Sequence, residues 1–131
     1  MVVRSPSRYR EAMTIDVFAG VRVRDLERAV TWYSTLLGSA EAFRPNDEEA
    51  VWSVADHGHV YVLVDPDGAG HGLVTLFVSD LDAALATAAA GDLSPTTLET
   101  YENGVRKATF HDPDGNEIGL GGGPTTPPSD R

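Results

Sequence analysis

From Val17 onward, short extended stretches alternate with two stretches whose apolar residues recur at helical spacing. Val17 to Val23 reads as a first strand. Leu26, Ala29, Val30, Tyr33, Leu36 and Leu37 then line one face of a helix, with Asp25 placed to cap it and Gly38 to end it. Three strands are predicted next, near Ala40 to Arg44, Ala50 to Ala55 and His59 to Val64, separated by the polar loop Pro45 to Glu49 and the turn Asp56-His57-Gly58. The pattern then starts again. Gly72 to Val78 reads as a strand, Asp80 caps an Ala-rich helix from Leu81 to Ala90 closed by Gly91, and strands follow near Thr96 to Tyr101, Val105 to His111 and Glu117 to Leu120. Asn103-Gly104 is a strong hairpin signal, and the Asp112-Pro113-Asp114-Gly115-Asn116 run specifies a tight turn.

Two echoes show that this repetition is real. Val23-Arg24-Asp25-Leu26-Glu27-Arg28-Ala29 returns as Val78-Ser79-Asp80-Leu81-Asp82-Ala83-Ala84 at an offset of 78 − 23 = 55, and Asp65-Pro66-Asp67-Gly68 returns as Asp112-Pro113-Asp114-Gly115 at 112 − 65 = 47. Two echoes in one order mean two copies of one β-α-β-β-β unit, the second shorter by 55 − 47 = 8 residues, a change that loops absorb easily. The expected organisation is a leader over 1–14, a first module over 15–70, a second over 71–121 and a flexible tail over 122–131. With 131 residues and 41% hydrophobic content, the two half-size copies must share one core.

Composition narrows the function. No apolar run approaches membrane-spanning length and the Arg-containing leader lacks the hydrophobic stretch of a signal peptide, so a cytoplasmic protein with no membrane partner is expected. The absence of cysteine excludes disulfides, thiol nucleophiles and thiolate metal sites. A net charge of −10, with no basic stripe to follow a phosphate backbone, argues against nucleic acid. Nine of the ten basic residues are Arg, which together with abundant alanine is compatible with a GC-rich bacterial genome.

The residues Val23-x-Asp25-Leu26 with Ala29, Trp32-Tyr33 and Leu37-Gly38, then Val78-x-Asp80-Leu81 with Ala84, and finally Asp112-Pro113-Asp114-Gly115-Asn116-x-Ile118-x-Leu120, resemble the vicinal oxygen chelate superfamily over roughly Asp16 to Gly121. That group contains glyoxalase I, bleomycin-resistance proteins, fosfomycin-resistance proteins and extradiol dioxygenases. The resemblance implies an α+β fold of two βαβββ modules forming a half-open eight-stranded barrel around a pocket, usually in a homodimer. Metal-dependent members carry one ligand on each of four strands. Those places fall on Phe18, Leu73, Gly119 and near Leu63, none of which has a ligating atom, so neither the usual metal site nor another cofactor is expected.

If those positions mark the cavity face, strand alternation adds Asp16, His59, Tyr61, His71 and Glu117, and Trp52 joins them from the third strand. The family pattern turns Lys107, Thr109 and His111 inward and Arg106 outward. The expected ligand-binding set is therefore Phe18, Trp52, His59, Tyr61, Leu73, Lys107, Thr109 and Gly119. Core packing competes with ligand stacking for Trp52 and Tyr61, and solvent-facing or turn-capping roles compete for His57 and His111. No catalytic triad is evident. Glu117 and His111 remain as candidate acid–base groups. Asp16, His71 and Glu117, each two residues before a family ligand place, could form a relocated metal site only if the modules run the same way. Two functions stay open: a metal-free module binding a small organic molecule in an aromatic pocket, and an enzyme, whether lyase, isomerase or dioxygenase, using a relocated metal or a Glu/His pair.

Overall fold

The computed structural model describes residues 13–123, so the leader and tail expected from sequence lie largely outside it. Strand β1 (Val17–Val23) leads into helix α1 (Leu26–Leu37), followed by β2 (Phe43–Asn46), β3 (Glu49–Ala55) and β4 (Gly58–Val64). A short 3₁₀ turn (Pro66–Gly68) precedes β5 (Leu73–Val78), α2 (Leu81–Ala90), β6 (Thr97–Thr100), β7 (Arg106–His111) and β8 (Glu117–Gly122). The strands form two four-stranded sheets ordered β1-β4-β3-β2 and β5-β8-β7-β6, each with one parallel pair, β1 with β4 and β5 with β8, at its inner edge. This is an α+β fold in which the sheets stay unclosed, as a half-open barrel.

The local chemistry explains the elements. Asp25 and Asp80 each accept a hydrogen bond from the backbone N–H three residues on, at 2.8 and 3.0 Å, satisfying one of the unpaired donors that open a helix. Gly38 closes α1 in the left-handed region with φ 72°. In α2 that conformation belongs to Asp92, φ 64°, rather than to Gly91 as the sequence pattern suggests. Gly91 has a packing reason instead: a Cβ there would run into Cγ2 of Thr35 on α1. Strand β2 starts three residues later than expected and includes Pro45, which an edge strand tolerates because no ladder bond is required of its nitrogen. The Asn103-Gly104 pair sits inside a longer loop, residues 101–105, held by Tyr101 N–H donating to Val105 O and Gly104 N–H to Tyr101 O. Strand β8 runs on through Gly122, two residues past the alternating pattern.

Six strands, β1, β3, β4, β5, β7 and β8, turn one set of alternate residues toward the helices. Val21, Val23, Trp52, Val60 and Val62 from the first module merge with Val74, Phe110, Ile118 and Leu120 from the second, and with Ala29, Tyr33, Leu36, Leu81 and Ala88 of the helices, in one core. The two modules share this one cluster.

A buried polar clasp joins the modules. The Asp112 carboxylate accepts four hydrogen bonds: from the backbone N–H of Asp114 and Asn116 on one oxygen, and from Tyr33 Oη at 2.7 Å and Asn116 Nδ2 at 2.8 Å on the other. Burial and the Asp112 carboxylate push the Tyr33 phenol well above its ordinary value, so it stays a donor. Asn116 also donates to Arg22 O and accepts from Gly72 N–H, fastening the end of β1 to the start of β5. At the rim Arg24 pairs with Asp114 at 3.1 Å, and Arg28 Nη2 reaches Pro113 O at 3.4 Å. The Asp-Pro-Asp-Gly-Asn run is thus a joint between modules as well as a turn.

Candidate functional site

Because the helix side takes Val21, Val62 and Leu120, the alternate residues of every strand lie on the open face. On the first sheet, register sets Phe18 beside His59 and Ser53, Gly20 beside Tyr61 and Val51, and Arg22 beside Leu63 and Glu49, with Phe43 beyond Val51. On the second sheet Leu73 stands beside Glu117 and His111, Thr75 beside Gly119 and Thr109, and Phe77 beside Gly121 and Lys107. Glu99 continues that last row on β6. Phe18, His59, Tyr61, Leu73, Lys107, Thr109 and Gly119 therefore all lie on one side of their sheets.

Trp52 does not join them. It pairs with Val60 on the helix side, is 1% exposed, donates from Nε1 to Ser34 Oγ at 3.2 Å and packs against Tyr33 with ring centroids 5.6 Å apart. Its register is one residue away from the open face, so core packing is its role. The same alternation exposes what the sequence reading left out: Phe43, Glu49 and Val51 on the first sheet, Thr75 and Phe77 on the second. Phe43 was hidden by the misplaced β2, whereas Phe77 shares the parity of Leu73 and was legible.

The open face of the first sheet holds a trough of about 400 Å³ lined by Phe18, Phe43, Pro45, Glu49, Val51 and Tyr61. Gly20 is required for its shape, since a Cβ there would lie 2.6 Å from the Tyr61 ring; the phenol lies across β1 only because that side chain is missing. Phe18 stacks on His59 with centroids 4.4 Å apart and meets Tyr61 edge-on at 6.2 Å. The trough is aromatic with one carboxylate, and its volume is in the range of small-molecule sites.

At the end of this trough Asp16 binds two histidines. Its Oδ1 is 2.8 Å from His57 Nδ1 and its Oδ2 3.3 Å from His59 Nε2, while Ser53 Oγ lies 3.0 Å from His59 Nδ1. A carboxylate can only accept, so both histidines donate to Asp16, His59 through Nε2. Hydrogen bonds from His57 and His59 hold the Asp16 carboxyl below its usual value. On the second sheet His111 Nε2 and Glu117 Oε1 are cross-strand neighbours at 3.6 Å, both well exposed.

The relocated metal set Asp16, His71 and Glu117 is not assembled. Gly72 packs on Val21, where a Cβ would meet Val21 Cγ1 at 2.8 Å, so the start of β5 meets the far end of β1. Asp16 is five strand residues, about 17 Å, from that crossing, because the modules run opposite ways, and it is engaged by His57 and His59 instead. Among the described residues no three His, Asp or Glu side chains come together as a metal site. The family's own metal places do not fit an ion either. Equivalent register sets Tyr61, not Leu63, opposite Gly119: Val21 pairs with Val62 as its counterpart Leu76 pairs with Leu120. The four places thus hold two hydrocarbons, a glycine and one phenol, too few donors for a divalent ion.

No helix of the described residues is long and apolar enough to cross a membrane. The family model for the glyoxalase/bleomycin resistance protein/dioxygenase superfamily matches residues 14–120. The crystal structure of a glyoxalase/bleomycin resistance protein from Catenulispora acidiphila DSM 44928 is 44% identical and superimposes with a TM-score of 0.82, covering 85% of this chain and all of the other. A bleomycin-binding protein complexed with bleomycin is 20% identical, with a TM-score of 0.68 over 83% of this chain and 98% of the other. Lactoylglutathione lyase from Agrobacterium tumefaciens is 17% identical, with a TM-score of 0.68 over 86% and 94%; at such identities the likeness concerns the fold alone. No curated protein gives a significant sequence match. The motifs, the paired modules and these matches agree, and the chain belongs to the glyoxalase/bleomycin resistance protein/dioxygenase superfamily.

Proposed function

We propose that this protein binds a small organic molecule on the open face of its sheets without a metal ion, by stacking and apolar contact. The observation that carries the reading is the trough lined by Phe18, Phe43, Pro45, Glu49, Val51 and Tyr61, set where the family's metal places hold no ligating set. Burying one aromatic ring of a ligand against Phe18 and Tyr61 contributes roughly 1.5–3 kcal/mol from area alone, with up to about 1.5 kcal/mol more from ring geometry. The complex of a family fold with bleomycin supports binding as a use of this architecture. A second copy of the chain is part of the reading. Leu98 on β6 leaves more than half of its surface exposed, and the edge strands β2 and β6 are uncovered, so a homodimer in the cytoplasm would bury both.

A second reading, acid–base catalysis, rests on one observation, the His111–Glu117 pair on the open face of the second sheet. Both side chains stand largely in solvent, with no cavity of the described residues around them to hold a substrate against the pair, which ranks this reading below binding. The test of the first reading is a screen of aromatic fragments by protein-observed NMR. Binders are expected to perturb Phe18, Phe43 and Tyr61, and Tyr61→Ala is expected to weaken them about tenfold or more while the thermal midpoint changes little. Binders that cluster on the helix side would refute the site.

A further inference from the structure

Superimposing the two modules through their strand register exposes a reversal of charge. Val51 on β3 pairs with Tyr61 as Thr109 on β7 pairs with Gly119, so Val51 and Thr109 are equivalent; two residues earlier on each strand stand Glu49 and Lys107. The one carboxylate lining the first trough and the only lysine of the chain occupy the same position in the two halves.

The surroundings of the two residues differ in the same sense. On the second sheet Gly119 and Gly121 replace Tyr61 and Leu63, and Thr75 and Thr109 replace Gly20 and Val51. Bare backbone and two hydroxyls thus stand where the first sheet has hydrocarbon and a phenol. Lys107 lies across Gly119: its Cε is 2.8 Å, and Thr75 Oγ1 3.2 Å, from the point a Cβ on Gly119 would occupy, so the two atoms are at most 2.8 + 3.2 = 6.0 Å apart. Lys107 forms no ion pair with any described residue, although Glu99 is its cross-strand neighbour; Glu99 accepts from Tyr101 Oη at 3.2 Å instead. Lys107 is partly buried and shares its row with Phe77; an ammonium covered by a ligand loses water, and only a negative or strongly accepting group on that ligand offsets the loss.

We infer that Lys107, with Thr75 and Thr109, is an oxyanion-binding subsite, and that the ligand of the open face is an aromatic molecule carrying a carboxylate or comparably acidic oxygen. The inference rests on the binding function proposed above and adds the ligand's charge to it. In this chain the Lys107 side chain lies over Gly119, where metal-dependent members of the family are expected to present a ligand.

The single lysine makes a direct test possible. Reductive ¹³C-methylation labels Lys107 and the α-amine, whose signals are assigned by comparison with Lys107→Met, and the labelled protein is titrated with benzoate, benzyl alcohol and benzylamine, which share a ring and differ in charge. Benzoate is expected to move the Lys107 signal saturably and the other two to leave it in place. On unlabelled protein, Lys107→Met is expected to weaken benzoate at least tenfold and leave benzyl alcohol unchanged, while Lys107→Arg retains most of the benzoate affinity; thermal midpoints confirm that all variants fold. If the probes perturb Tyr61 and Phe18 but Lys107 does not respond, or Lys107→Met binds benzoate as the parent does, the oxyanion subsite is wrong and the cleft stands. If no probe perturbs either sheet's open face, both fall.

Discussion

Replacing Tyr33 by Phe removes one oxygen from the clasp between the modules and leaves the ring in place. Tyr33 is fully buried, Asp112 is 5% exposed, and the bond between them is 2.7 Å long and accepted by a carboxylate. A hydrogen bond to a charged partner contributes about 1.5–3 kcal/mol, and the substitution opens no cavity large enough to add a packing term. For a chain of this size that corresponds to a fall in thermal midpoint of roughly 5–12 °C. Asn116→Ala should cost more, about 3–5 kcal/mol, because three side-chain bonds go and Gly72 N–H and Arg22 O are left without their partner. Chemical denaturation followed by circular dichroism gives both values. The Tyr33→Phe transition should remain a single cooperative step, since the modules share one core. A Tyr33→Phe protein within about 0.5 kcal/mol of the parent would refute the reasoning, because the phenol would then be contributing no more than a solvent-exposed bond does.

Three further outcomes follow from the same contacts. Gly122→Ala should destabilise by about 1–3 kcal/mol through overpacking, since its Cβ would lie 2.6 Å from Leu81 Cβ and 3.6 Å from the helix backbone, neither able to swing away; urea midpoints check it. Gly20→Ala drives the Tyr61 ring off β1 and should weaken fragments bound in the first trough with little loss of stability, because a side-chain end yields where backbone does not; NMR titration of the variant decides. The Asp16 carboxyl, held low in the folded protein by His57 and His59, contributes stability that is present above the ordinary carboxylate range and lost as pH falls through its folded value; the stability gap between the parent and Asp16→Asn should therefore close in acid, and a gap independent of pH would contradict the pairing.

Much of the fold was legible along the chain, for local reasons. Asp25, Asp80 and Gly38 act through bonds within a few residues of themselves, so their chemistry announces the helix ends wherever they occur. The repeated Val-x-Asp-Leu and Asp-Pro-Asp-Gly runs fix two modules, and strand alternation fixes which residues share a face once the register is known. Where a pairing partner had to be known first, sequence reading failed. Trp52 looks like a pocket residue until the ladder places it opposite Val60 on the helix side, because a slip of one residue exchanges the two faces of a strand. The displaced β2 concealed Phe43, since an edge strand interrupted by proline has little period to read. The opposed directions of the modules, which separate Asp16 from His71, and the burial of Asp112 under Tyr33 depend on how the halves dock. Docking is decided by the sum of contacts between residues distant in the chain, and no short stretch of sequence encodes it. The sequence by itself determined the two modules, their helix ends and the lack of ligating atoms at the family's firmer metal places; the tertiary structure decided the register, the open face and the opposition of Glu49 to Lys107, because each of these is a relation between strands.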